Sequence, residues 1–239
     1  MYTLDLSIIL PSYNEEKNII ETLKKLDRSL KINKIKKYEL IFVDDGSTDN
    51  TKKIINKYIV SNKKKISSKK LFLKKNLGLG GAFRKGVNLS KAKNVIFIPT
   101  DDSHPIKGLC TIFKKFKNMD KNKILISYVQ NKKARNLSRR IISASYTKIL
   151  NIIFLTNIKY FNGLNIYPLK KLKNNLNMTN SFSFQTEILI MMIKKGVNYD
   201  YVKTFISERK IGETNAFKIK NIFLVIKSIF KLIFRYYAK

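Results

Sequence analysis

Leu6-Ser-Ile-Ile-Leu-Pro-Ser-Tyr-Asn-Glu-Glu16 and Tyr38-Glu-Leu-Ile-Phe-Val-Asp-Asp-Gly-Ser-Thr-Asp49 decide the fold of this chain. Each is a short apolar run that stops abruptly at polar, turn-forming residues. A run bounded in this way reads as a buried parallel strand. In an open α/β sheet, ligands bind just beyond the carboxyl ends of such strands. Asn14, Glu15, Asp44 and Asp45 are therefore expected to share one crevice. Strands are expected at Leu6–Leu10 and Leu40–Val43 within these segments, and further ones at Leu71–Leu73, Val95–Ile98 and Ile124–Tyr128. Helical patterns at Glu16–Leu30 and Thr48–Ile59 alternate with them, with Ser47 or Thr48 as the cap of the second. That alternation implies an α/β domain with a mostly parallel, Rossmann-like sheet sandwiched by helices. Lys63–Lys70 reads as a basic solvated loop.

The second half follows another pattern. Asn136–Thr156 reads as a helix, Phe161–Pro168 as a strand and turn, and Phe184–Lys195 as a helix that Gly196 stops. Val202–Ile206 reads as a short strand and Asn221–Tyr237 as a final helix. In that helix Lys227, Lys231 and Arg235 recur every four residues along one face, and most of the rest is apolar. A basic amphipathic helix with terminal aromatics suits a membrane interface; packing on the protein's own core is the alternative. Ile149–Leu155 offers a second apolar patch.

The chain has 239 residues, enough to bury a substantial core. Its 49 Lys and Arg against 16 Asp and Glu give a net charge of +33. Such a field favours anionic partners, although a general excess of Lys, Asn and Ile gives the same number without one. No zinc-finger spacing or RNA-binding aromatic motif accompanies the charge, which argues against nucleic acid as the partner. The lone Cys110 excludes an internal disulfide framework and reads as an inert thiol on a buried helix face. No signal peptide and no long uncharged apolar run is evident. The expectation is a cytoplasmic protein, peripheral on the cytoplasmic face of a membrane, with a membrane-protein partner left open.

Two more segments carry chemistry. Asn76-Leu-Gly-Leu-Gly-Gly-Ala-Phe-Arg-Lys-Gly86 is a glycine-rich turn before a helix, and glycines at Gly78 and Gly80 permit close backbone approach. It lacks the Walker pattern, which excludes a P-loop ATPase. Ile96-Phe-Ile-Pro-Thr-Asp-Asp-Ser-His-Pro105 ends an apolar strand in paired carboxylates. Hard oxygen donors at such a place suit Mg²⁺ or Mn²⁺. The alternative for Asp102 and Ser103 is capping of the helix that starts near Pro105.

Taken together, these segments resemble the family 2 glycosyltransferases, and their dolichyl- or polyprenyl-phosphate sugar synthase branch in particular. The resemblance implies a GT-A fold, with residues 1–215 as the glycosyltransferase domain. Within it, 1–130 would form the nucleotide-sugar half and 131–215 the acceptor half. Residues 216–239 would form a basic amphipathic C-terminal helix. It further implies nucleotide-sugar contacts from Pro11, Tyr13, Asn14, Glu15, Asp44, Asp45, Ser47, Gly78, Gly80, Asp101 and Asp102. Leu137-Ser-Arg-Arg-Ile-Ile-Ser143 resembles a basic segment near the donor phosphates, which adds Arg139 and Arg140. Asn162-Gly-Leu-Asn-Ile-Tyr167 resembles a sugar-pocket stretch and adds Gly163.

The metal set implied by the resemblance is Asp101, Asp102 and Ser103. Aligned on His104-Pro105, the branch's Asp-x-Asp-x-Gln-His-Pro segment keeps only its second acid, at Asp101. Its first falls on Pro99 and its Gln on Ser103. Glu208-Arg-Lys-Ile-Gly-Glu-Thr-Asn215 resembles a phosphate-handling segment. With Ser143 and Lys218, its Arg209 and Thr214 would receive an acceptor phosphate. Catalytic roles fall to Asp101, Arg209 and Glu187. The implied reaction moves a hexose from GDP-mannose or a UDP-hexose to a polyprenyl phosphate. A sugar-hydroxyl acceptor is the alternative, with Glu187 as base. The chain has no Trp, so the Gln-x-x-Arg-Trp motif of processive synthases is absent.

Overall fold

A computed structural model describes residues 4–64, 66–207 and 219–238, with side chains of the last helix from residue 222 on. Its strands are β1 (Leu6–Ser12), β2 (Tyr38–Asp44), β3 (Ser67–Phe72), β4 (Asn94–Phe97), β5 (Ile124–Val129), β6 (Ile166–Pro168) and β7 (Tyr199–Thr204). The helices are α1 (Ile19–Ile32), α2 (Thr51–Asn62), α3 (Leu79–Leu89), α4 (Ile106–Lys117), α5 (Leu137–Phe154), α6 (Leu169–Lys173), α7 (Phe184–Lys194) and α8 (Ile219–Tyr237). One seven-stranded sheet runs in the order β3-β2-β1-β4-β6-β5-β7. All neighbours are parallel except β6, which is antiparallel to both β4 and β5.

Alternation along the strands explains the sandwich. Ile9, Ile41, Val43 and Phe97 pack with α3 and α7 residues such as Phe83, Val87, Phe184 and Ile188. Ile8, Leu10, Phe42 and Ile96 face the other way, onto Leu23, Leu26, Ile112 and Phe113 of α1 and α4. Successive side chains of a strand point to opposite faces, so uninterrupted apolar runs serve two cores at once.

Two sequence expectations change. The Lys63–Lys70 segment is not all loop, because Ser67–Lys70 pair with Glu39–Phe42 as the outer strand of the sheet. An edge strand needs only backbone bonds on one side, and lysines there discourage pairing with another chain. Lys69 also reaches the buried carboxylate of Glu39 at 2.6 Å. Secondly, α2 begins at Thr51 after Asn50, with no side-chain cap on its first amides from Ser47 or Thr48. Both of those residues are engaged by Asn14.

The carboxyl ends of β1, β2, β4, β5 and β7 lie along one edge of the sheet. Antiparallel β6 begins at that edge, since Ile166 pairs with Ile96 near the end of β4. The direction of connections reverses between β1 and β4, the place where an open α/β sheet forms its crevice.

Candidate active site

The β1 and β2 loops are tied together. The Asn14 amide donates to Ser47 Oγ at 3.0 Å, and Thr48 N donates to Asn14 Oδ1 at 2.9 Å. The Glu15 amide donates to Thr51 Oγ1 at 2.9 Å, and the Glu16 amide to Asp49 Oδ2 at 3.1 Å. Asn14 adopts φ 54°, a left-handed turn that Asn tolerates well. Pro11 lies within β1, and its carbonyl accepts from Thr100 Oγ1 at 3.0 Å, which fixes the end of β1 to the chain leaving β4. Tyr13 stands 43% exposed at the rim.

Asp44 and Asp45 have different surroundings. Asp44 is buried; its Oδ1 accepts from Ser47 N, and its Oδ2 has no hydrogen-bond partner among the described residues. A buried carboxylate oxygen without a donor is a place for a ligand N–H or hydroxyl. Asp45 grips the glycine-rich turn. Its Oδ1 accepts from Leu77 N at 2.8 Å and its Oδ2 from Gly78 N at 2.9 Å. Burial pushes the Asp45 carboxyl up to about 6, helped by the charge of Asp44 and opposed by those two amides.

Gly78 has φ 82°, and a Cβ there would meet Asn180 O at 2.7 Å. A Cβ on Gly80 would meet Thr179 O at 2.4 Å. The close approach that these glycines permit is therefore to the 177–183 loop. Gly163 is similar: a Cβ would lie 2.2 Å from Ser127 O of β5. Beside it Asn165 is fully buried, its Oδ1 accepting from Ser127 N and its Nδ2 donating to Tyr167 Oη at 3.2 Å.

The three residues read as a metal set separate after β4. Asp101 Oδ1 accepts from Ser103 N at 3.2 Å and from Ser103 Oγ at 2.7 Å, so the Ser103 hydroxyl holds the carboxylate. Asp102 takes φ 59°, which turns its side chain to α1. There it pairs with Lys25 at 2.5 Å, both groups largely buried. Asp102 is thus occupied away from Asp101. The His104 ring has its Nδ1 buried with no partner among the described residues. Burial holds the His104 pKa below its usual value; Asp101 opposes this and Arg135 adds to it.

A basic wall closes this side. Burial lowers the Arg139 pKa, the charge of Arg135 adds to that, and Tyr160 and Asp101 pull the other way. Arg135 Nη1 donates to Tyr160 Oη at 3.1 Å. Behind them opens a cavity of about 900 Å³ between β5 and α5. Lys132, Arg135, Arg140, Lys148 and Lys159 line it with Ser143, Tyr128, Tyr160 and Ile152, and no acidic residue does. Arg135 and Tyr160 escaped the motif reading. Arg135 follows the carboxyl end of β5 in Asn131-Lys-Lys-Ala-Arg135, the same position rule that found Asn14 and Asp44.

The sequence profile of "Glycosyl transferase family 2" matches residues 7–172. This chain belongs to that family. A Methanocaldococcus jannaschii protein of no assigned activity is 28% identical over 237 residues, covering 90% of this chain and 98% of its own length. Human dolichyl-phosphate beta-glucosyltransferase is 39% identical over 106 residues, which are 41% of this chain and 32% of that protein. The likeness to that branch is thus to about a third of the longer human enzyme. Glucosyl-3-phosphoglycerate synthase from Mycobacterium tuberculosis, solved with phosphoglyceric acid, superposes with a TM-score of 0.67 at 14% identity. That superposition covers 98% of this chain and 80% of the other. The Pyrobaculum calidifontis mannosyltransferase solved with GDP-Man and Mn²⁺ gives a TM-score of 0.59 at 13% identity, covering 88% and 59%. The fold is GT-A and the protein is a glycosyltransferase.

Glu187 has a task that its sequence position did not suggest. Its buried carboxylate accepts from Thr179 N and Oγ1, from Ser183 Oγ, and from Arg235 of α8 at 2.6 Å. Arg235 therefore points inward, not along a solvent face with Lys227 and Lys231. Cys110 is half-buried on α4. Arg209, Thr214 and Lys218 lie outside the described residues.

Proposed function

We propose that this enzyme transfers a hexose from a GDP- or UDP-linked donor to a polyprenyl phosphate at a membrane surface. The observation that carries this reading is the acid-free basic cavity between β5 and α5. Its wall residue Ile152 belongs to an α5 face whose Leu137, Ile141 and Ile149 are exposed, as is Leu155 just past the helix end. An anionic head with a long apolar tail matches cations at one end and an apolar track at the other. Among the described residues no helix is long and apolar enough to cross a membrane. Membrane contact would come from exposed side chains of α5 and of α8, where Phe223, Phe230 and Phe234 face outward.

In this reading Asp44 Oδ2 takes a donor group from the base or ribose, with Tyr13 beside it. Asn14, Glu15, Ser47 and Asp45 shape the crevice. Asp101, with the neutral imidazole nitrogen of His104 near it, offers an O,N donor pair that fits a divalent cation, which the branch and the Mn²⁺-bound neighbour suggest. Among the described residues no cluster of three or more His, Cys, Asp or Glu could hold a metal. Donor phosphate oxygens would therefore have to complete the sphere. Such a cation would offset the diphosphate charge.

Arg139, Arg140 and Arg135 would stabilise negative charge on the leaving diphosphate. An acceptor phosphate oxygen attacks the anomeric carbon as the bond to the donor phosphate breaks. The nucleoside diphosphate leaves with the electron pair, and configuration inverts. A phosphate monoester is largely dianionic at pH 7, with a second pKa of about 6, so no base is needed. That agrees with a Glu187 already engaged by its partners. Ser143, Arg140 and, beyond the described residues, Arg209, Thr214 and Lys218 are the proposed acceptor-phosphate group.

The test is transfer of radiolabelled sugar into polyprenyl phosphate from UDP-glucose, UDP-GlcNAc and GDP-mannose, with and without Mn²⁺. Product from one donor supports the reading. Donor binding with transfer only to a sugar hydroxyl would replace the acceptor.

A further inference from the structure

The loop between α6 and α7 is held from two sides. On one side it meets the glycine-rich turn. Gly80 N donates to Asn180 O at 3.1 Å, and Arg84 of α3 donates to Asn180 Oδ1 at 3.1 Å and to Met178 O. The same turn is held from beneath by Asp45 through Leu77 N and Gly78 N. On the other side the loop meets α8. Ser228 Oγ lies 2.9 Å from Ser181 Oγ and 3.1 Å from Thr179 Oγ1. Arg235 donates to Asn177 O and, at 2.6 Å, to Glu187 Oε2. Glu187 in turn accepts from the amide of Thr179 at 3.1 Å.

A continuous set of polar contacts thus runs from α8 through Glu187 and the 177–183 loop to the turn that Asp45 holds. Glu187 is 1% exposed, and Arg235 is the cation paired with it. A buried carboxylate that loses its cation must find another arrangement. The other donors to Glu187 are Thr179 and Ser183 of the 177–183 loop, so a change at the carboxylate falls first on the loop that meets Gly78 and Gly80.

We propose that Arg235 is a positioning residue for donor binding: through Glu187 it fixes the 177–183 loop against Gly78 and Gly80 and so sets the shape of the nucleotide crevice. This rests on the proposed function, in which that crevice holds a nucleoside diphosphate. The terminal helix then does two things. Its outward Phe230 and Phe234 are free for a surface, while its inward Ser228, Leu232 and Arg235 serve the donor site.

The experiment is calorimetric titration of UDP and GDP into wild type, Arg235→Met, Arg235→Lys and the charge-neutral pair Glu187→Gln with Arg235→Met. The pair removes both charges together, so it remains a folded reporter if Arg235→Met alone does not fold; thermal melts check each variant. Arg235→Met and the pair are expected to weaken nucleotide binding about tenfold or more, as for other distant misplacements of a site. Arg235→Lys should recover part of it. Variants that melt lower yet bind nucleotide as wild type does at a temperature where all are folded would overturn the positioning role. A wild type that binds neither nucleotide would overturn the functional reading itself, and with it the purpose of these contacts. The two failures are therefore distinct.

Discussion

Adjacent carboxylates Asp101 and Asp102 should behave oppositely when each is changed to Asn. Asp102 is 5% exposed and its partner Lys25 15%, with 2.5 Å between charged atoms. Removing one partner of a buried pair costs roughly 3–5 kcal/mol. Two features reduce that for Asp102→Asn. Asn accepts the left-handed φ of 59° without strain, and Lys25 can extend its ammonium toward water. A loss of about 2–3 kcal/mol remains. In a domain of this size each kcal/mol shifts Tm by about 2–4 °C, so the melt should fall by roughly 5–10 °C.

Divalent-cation affinity in Asp102→Asn should stay within about twofold of wild type, because this carboxylate faces α1. Asp101→Asn should keep its melting temperature within about 2 °C and lose Mn²⁺ binding, measured by the free-ion electron paramagnetic resonance signal in the presence of nucleoside diphosphate. Loss of Mn²⁺ binding in Asp102→Asn, with an unchanged melt, would refute the assignment.

Three other outcomes follow from single features. The Asp45 carboxyl titrates at about 6, above its usual range, so the folded protein takes up a proton there as pH falls. That group favours folding below its ordinary pKa, and the contribution is lost as pH rises through about 6. Its protonation also loosens the grip on Leu77 N and Gly78 N. Nucleotide affinity should therefore drop below pH 6 in wild type, and drop less in Asp45→Asn. Gly163→Ala drives a methyl to within 2.2 Å of Ser127 O; a loss of about 1–3 kcal/mol in denaturant melts is expected. Phe230→Ser and Phe234→Ser should each weaken partition onto anionic vesicles about tenfold or more while leaving the melt within a degree or two.

The sheet and its crevice were legible because abrupt ends of apolar runs mark strand termini. The runs expected at Leu6–Leu10 and Leu40–Val43 fall within β1 and β2, which extend to Ser12 and Asp44, and Asn14 does meet Ser47 and Thr48. What was hidden has a physical reason in each case. β3 carries Lys69 and Lys70, and an edge strand pairs through its backbone whatever its side chains. β6 enters antiparallel between β4 and β5, and three paired residues such as Ile166–Pro168 carry no directional signal. The separation of Asp102 from Asp101 depends on one left-handed residue, which spacing does not reveal. The Glu187–Arg235 pair joins residues 48 apart in sequence, beyond any local pattern. Residues at strand ends were thus readable; those fixed by a turn's handedness or a distant helix were not.

Linkage analysis of the product tests the central claim most directly. The sugar transferred from the active nucleotide-sugar to polyprenyl phosphate should form a mild-acid-labile phosphodiester, inverted at the anomeric carbon by nuclear magnetic resonance. A sugar joined to a hydroxyl, or one that retains the donor's configuration, would contradict it.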